Sequence, residues 1–338
     1  MTKDRDASTT PTITYLAKYL RTGSIFIALL VIGVVLSFAS PYFLTTNNLL
    51  NILLQAATIS IIAAGFTVVL IAGEIDLSIG SAIGLTASVI AVAIIQQGMP
   101  VSAGIGIALL VGLLLGMFNG YLTVFFKIPS FVVTLATLGI AHGGGLLLTA
   151  GRPVFGFPDS YHVIGQGLIG PIPVPILIAA AVYLVLHFLL TRTSFGIQLY
   201  ATGGNREAAN LAGVRVPRIL ITAFVICGLC GALAGIVLSS RLDSGHGNFG
   251  ATNLLDAVAA VVVGGASLFG GAGSVIGTLA GVLIIATIRN GLILLNVQAF
   301  WQEIAVGVII IIAVVINQTV RAEFSLPRIF QKRRRRKR

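Results

Sequence analysis

The chain has 338 residues, of which 57% are hydrophobic and only 9% charged, and its mean hydropathy is +1.03. A soluble domain usually carries about 25% charged residues, so the composition excludes an ordinary water-soluble globule and points to a surface that mostly faces lipid. The net charge of +11 does not indicate nucleic acid, because the basic residues gather at chain ends and between apolar stretches instead of forming a face interleaved with aromatics.

Crossing a hydrocarbon core of about 30 Å takes about 20 helical residues. Cutting the apolar stretches at charges, prolines and polar clusters predicts about ten spans, over 23–40, 50–72, 77–95, 101–126, 131–150, 172–190, 219–239, 254–268, 274–295 and 301–318. The fold class expected is therefore all-α, a polytopic integral membrane protein. It divides into a cytoplasmic N-terminal segment 1–22, a transmembrane domain 23–320 and a basic cytoplasmic tail 321–338. The first apolar stretch, 24–39, is followed by Pro41, Tyr42 and Phe43 instead of a small-residue cleavage site, so it is expected to remain as an anchor.

Orientation follows from the basic residues, which are retained on the cytoplasmic side. With the N-terminus inside, Lys3, Arg5, Lys18, Arg21, Lys127, Arg192, Arg206, Arg215, Arg218, Arg321, Arg328 and the tail from Lys332 to Arg338 all fall inside. Only Arg152 and Arg241 fall outside, and both termini are cytoplasmic. The tail also suits contact with anionic membrane lipid.

Within this frame, Glu74 and Asp76 place two carboxylates between the second and third spans. Two readings stand: a role in the translocation path, since charge within apolar spans is costly, or a solvated pair in which Asp76 or Ser78 caps the third span. Asp256 raises the same question at the external start of the eighth span. Asn51, Gln55, Asn119 and Asn290 are uncharged hydrogen-bonding groups that suit either weak contact with a polyhydroxylated solute or interhelical bonding. Glycines at four-residue spacing, Gly112/Gly116/Gly120, Gly231/Gly235 and Gly273/Gly277/Gly281, each predict one closely packed helix face. Cys227 and Cys230 have redox-motif spacing but lie in an apolar stretch with no second ligand pair, so they read as small buried residues. Asn119-Gly120 in the fourth span echoes Asn290-Gly291 in the ninth, which runs the opposite way, as in an inverted five-plus-five repeat.

Two loops are long. The stretch 151–171, rich in Gly and Pro, reads as an external connector or docking surface, whereas 191–217 is polar, basic and helix-forming. In the latter, Asn205 is placed to cap a short helix over 207–212 that Gly213 stops, and an exposed helix of that length needs a partner. No lysine follows a glycine anywhere, so no phosphate-cradling loop exists, and any ATP hydrolysis belongs to another polypeptide. His142, His162, His187 and His246 show no metal-ligand spacing and no nucleophile elbow occurs, so neither enzyme, cofactor nor metal is expected.

Glu207, Ala208, Ala209 and Gly213, in that order, resemble the coupling loop of the membrane subunits of bacterial ABC importers. The stretches 73–80, 201–216, 264–274 and 290–302 make the chain similar over nearly its whole length to the ribose, xylose and arabinose permease branch, with Arg289 standing where relatives commonly have a small or amide residue. The resemblance implies a multi-pass permease of the bacterial inner membrane that forms a homodimer and imports a monosaccharide such as a pentose. It also implies a cytoplasmic ATP-binding subunit docking on 191–217, through Gly203, Gly204, Asn205, Glu207, Ala208, Ala209 and Gly213, and a periplasmic or extracellular sugar-binding protein outside. The alternatives within reach are a permease for a nucleoside or signalling furanoside in the same family, and an ion-coupled secondary transporter using Glu74, Asp76 and Asp256.

Overall fold

The structure, a computed structural model, describes the backbone of residues 11–325 and the side chains of residues 25–315. It is helical throughout, in the order α1 (Pro11–Ala39), α2 (Thr46–Ile71), α3 (Ile79–Ala91, continued by a π turn over Val92–Gln96), α4 (Val101–Phe125), α5 (Ser130–Leu148), α6 (Asp159–Gln166), α7 (Val174–Arg192), α8 (Ser194–Gly204), α9 (Arg206–Leu211), α10 (Val216–Leu242), α11 (Ala251–Val263), α12 (Val275–Leu294) and α13 (Ala299–Ser325). The only strands among the described residues are two-residue pairs, β1 (Val154–Phe155) with β4 (Ser244–Gly245) and β2 (Leu168–Ile169) with β3 (Ile172–Pro173), both antiparallel. Among the described residues, seven helices are long and apolar enough to cross a membrane: α2, α3 with its π turn, α4, α5, α7, α10 and α12. Shorter apolar helical stretches occupy Ile25–Ala39, Ala251–Val263 and Ala299–Val315. The tail from Lys332 to Arg338 lies outside the described residues.

Four helices begin where local chemistry favours it. Thr45 Oγ1 accepts the Asn48 N–H at the start of α2, and Ser274 Oγ accepts the Gly277 N–H at 3.0 Å at the start of α12. α7 and α10 carry proline in the first turn, where no hydrogen bond is lost. The centre is α2, buried along most of its length and walled by α7, α10, α11 and α12. α4, α5 and α7 keep most of their apolar surface outward, as a ring facing lipid should.

The small-residue faces set the closest crossings. A side chain on Gly116 would run into the Phe224 carbonyl of α10, and Gly112 meets the Gly228 backbone of the same helix. Gly231 and Gly235 turn to α3, Gly281 turns to the α11 backbone at Ala260, and Gly277 to Gly264 just past the end of α11. Gly273, expected to continue that last face, instead sits in the turn before α12 with φ +154°, wedged between Ala266 and Ile71. Cys227 and Cys230 are buried free thiols.

At one end of the bundle the 151–171 loop is ordered by long-range contacts. Tyr161 of α6 is wholly buried, its hydroxyl 2.9 Å from the Ile236 carbonyl and 2.7 Å from Ser239 Oγ on α10. At the other end, three turns converge, and they form the site.

Candidate functional site

The convergent turns are 72–78 between α2 and α3, 264–274 between α11 and α12, and the α8–α9 segment. Their approach depends on glycine, since a Cβ on Gly203 would overlap the Ile71 carbonyl, while Gly73 and Gly270 take the left-handed φ of +79° and +83° that permits the sharp reversals. Gly271 N–H donates to the Ile71 carbonyl at 2.9 Å, and Tyr200 of α8 donates to the Gly273 carbonyl at 2.8 Å. Arg206, the first residue of α9, reaches back to the α2–α3 turn. Its Nη2 donates to the Gly73 carbonyl at 3.2 Å and lies 2.7 Å from Glu74 Oε1, an ion contact without hydrogen-bond geometry.

Asp76 is almost fully buried in the same turn. One carboxylate oxygen accepts both the Ser78 N–H, at 2.9 Å, and the Ser78 hydroxyl, and the Cys227 thiol of α10 reaches the same group. Asn119 Nδ2 of α4 donates to Ser78 Oγ at 2.8 Å, and Thr137 of α5 donates to Asn119 Oδ1 at 2.7 Å. Ser130 Oγ accepts the Ile75 N–H at 3.1 Å. The turn is thus bonded to α4, α5 and α10 at once. Burial holds the Asp76 carboxyl above the ordinary carboxylate range, against the lowering hydrogen bonds from Ser78, Cys227 and Asn119. Both carboxylates are buried, so a solvated pair is excluded, and Ser78 makes no capping bond to α3. Beside Glu74 opens a cavity of about 330 Å³ lined also by Lys127, Ser130, Arg206, Val216 and Leu220.

α9 forms where Asn205 Oδ1 accepts the Ala208 N–H at 3.0 Å, and the chain leaves it through Gly213 at φ +85°. Glu207 and Ala208 are exposed, as are Gly204, Asn205 and Gly213, and Leu211 presents an apolar side chain that is 83% exposed. Ala209, expected among the docking residues, turns inward at 4% exposure because the helix must bury one face against its own chain. Gly203 is engaged with Ile71 instead of standing free.

The remaining polar residues lie toward the opposite end. Asp256 of α11 accepts two hydrogen bonds from Arg289 of α12, from Nε at 3.0 Å and Nη2 at 2.7 Å, so Arg289 turns into the protein and does not snorkel outward. Asn290 and Asn48 exchange amide hydrogen bonds at 2.8 and 3.0 Å. Asn51 is exposed near the start of α2, and Gln55 is half-buried one turn on. The seven expected path residues therefore form two groups at two ends, with Glu74, Asp76 and Asn119 at the turn junction. Sequence reasoning named Ser78 only as a possible helix cap, and missed Arg206, Thr137 and Asn48 as members of these networks. Only Ser78 left a local signal, two residues after an aspartate, where an Asx turn forms.

Among the described residues, seven helices long and apolar enough to cross a membrane define a multi-pass membrane protein, and the comparison with known families gives its class. Residues 48–314 match the model described as branched-chain amino acid transport system / permease component, and the chain belongs to that family of multi-pass membrane permeases of ABC transporters. It is 41% identical over 293 residues to the ribose import permease protein of Haemophilus influenzae, covering 86% of this chain and 90% of that one. The ribose import permease protein of Bacillus subtilis is 41% identical over 295 residues, 87% and 91% of the two chains. The xylose transport system permease protein of Escherichia coli is 36% identical over 333 residues, 80% and 85% of the two chains. No solved structure matches. As a permease it is a transport subunit and not an enzyme.

Proposed function

We propose that this chain carries a ribose-like pentose across a bacterial inner membrane as one half of a permease homodimer, with both termini cytoplasmic and about ten spans. It is the permease subunit of an ABC importer of monosaccharides and works with an ATPase and a substrate-binding protein. The observation that carries the pentose reading is the 41% and 36% identity, over most of the chain, to permeases named for ribose and xylose. Three apolar helical stretches beyond the seven long ones, and basic residues gathered around α9, support the span count and the sidedness. Asn119-Gly120 and Asn290-Gly291 lie toward opposite ends of the bundle, which supports an inverted repeat relating α4 and α12.

On this reading the junction end is cytoplasmic. ATP binding closes the ATPases, pushes α9 and shifts the dimer between inward and outward access. Selectivity resides mainly on the binding protein, and the anionic cytoplasmic leaflet suits the basic tail. The exposed face of α9, with Glu207, Ala208 and Leu211, is the ATPase contact, supported by Asn205 and Gly213 at its ends. In proteoliposomes holding permease, ATPase and binding protein, radiolabelled ribose should enter only with ATP and be displaced by excess ribose or xylose but not by a nucleoside. Leu211→Glu should abolish uptake and ATPase stimulation in protein inserted at normal abundance, while Glu207→Gln weakens both by less. Normal ribose uptake in the Leu211→Glu protein would remove α9 from the coupling mechanism.

A further inference from the structure

We propose that Glu74 and Arg206 form the charged link through which displacement of α9 enters the membrane-spanning core. This deepens the reading of α9 as the ATPase contact and rests on it. Among the described residues this is the only ion pair at the junction end of the bundle. Its two partners differ in surroundings: the Glu74 side chain is 7% exposed and that of Arg206 48%. One member therefore belongs to the core and the other to the surface helix.

The connection is anchored at both ends. Arg206 is the first residue of α9, so any movement of that helix carries the base of its side chain with it. Its guanidinium holds the Gly73 carbonyl as well as the Glu74 carboxylate, and thus grips backbone and side chain of the α2–α3 turn together. Behind the grip, the Asp76–Ser78–Asn119–Thr137 chain fastens the turn to α4 and α5, and the Gly271 N–H fastens the end of α2, at Ile71, to the α11–α12 turn. Tyr200 ties α8 to that same turn at Gly273. Because backbone meets backbone at Gly203, the three turns cannot slide closer to absorb a push. Separating the pair would leave a buried carboxylate uncompensated, which costs far more than an exposed pair is worth, so the link favours staying closed while α9 moves. The consequence is that α2 and the α11–α12 turn shift with α9 as one body.

The test measures ribose transported per ATP hydrolysed in proteoliposomes with the ATPase and binding protein, for Glu74→Arg, Arg206→Glu and the double exchange. Each single variant should lower this ratio by roughly tenfold, and the double exchange should restore it to within about threefold of the parent by re-forming the pair in reverse. A ratio that stays at the parent value in either single variant overturns the proposal, as does a double exchange, inserted and bound to the ATPase, that remains as uncoupled as the singles. Should the charge reversals fail to insert, Glu74→Gln and Arg206→Gln take their place, and an unchanged ratio in both is equally fatal. The Leu211→Glu protein run alongside separates the two failures. If it transports normally the role of α9 falls, whereas if it is inactive and the pair variants are normal, only the link falls.

Discussion

Asp243 shows how one side chain organises the end of the molecule opposite the junction. It closes α10 in the left-handed conformation, φ +48°, which aspartate tolerates better than most residues. Its carboxylate accepts the Phe157 N–H at 3.0 Å and lies 2.8 Å from His162 Nε2, pinning the start of α6 to the end of α10. The His162 hydrogen bond, outweighing the opposing effect of desolvation and joined by the Phe157 amide, holds the carboxyl below its ordinary value. A depressed carboxylate contributes stability above its unfolded pKa, near about 4, and loses it as pH falls through the lower folded value. Hydrogen exchange at the Phe157 amide should therefore be slower than in Asp243→Asn by roughly two- to fivefold at neutral pH, a small factor because the group is largely exposed. The two proteins should converge only as pH falls from about 4 through the lower folded value. Equal exchange at pH 7 would show that the carboxylate does not hold α6. None of this was legible in the sequence, because both partners of Asp243 come from a distant loop. The same holds for Glu74 and Asp76, which read alike as neighbours but answer to different partners, Arg206 for one and Ser78 with Cys227 for the other.

At the scale of elements, the α4–α10 crossing is set by backbone contact. Gly116→Leu would drive a side chain into the Phe224 carbonyl, and overpacking of this kind costs about 1–3 kcal/mol, so the variant should melt at a clearly lower temperature in detergent and accumulate less. Gly139→Ala, on a helix surface with open space around the site, should match the parent. If both variants behave alike, close approach is not what holds these helices together. Helix positions were legible because apolar runs broken by charges and prolines mark them directly; 101–126 was expected where α4 runs Val101–Phe125. α9 was legible as well, from Asn205 and Gly213 at its ends. α6 was not, because a short segment containing Gly165 is ordered by Tyr161 reaching α10, not by local propensity.

For the molecule as a whole, the arrangement of charge predicts the sidedness of every turn. Reporters fused after Arg152 and after Arg206 should register opposite compartments, and the same compartment for both would invert half of the topology. The burial of α2 bears on how such a chain is made. α2 is translated early, yet the helices that enclose it, α7, α10, α11 and α12, follow later, the last only from residue 275. Until they arrive, a segment carrying Thr58, Ser60 and Thr67 on surfaces destined for protein has no protein to meet there. The nascent chain must therefore park this helix against lipid or the insertion machinery and draw it inward afterwards. Order of synthesis and order in space oppose each other, and the smallest portion able to reach the native arrangement extends through α12.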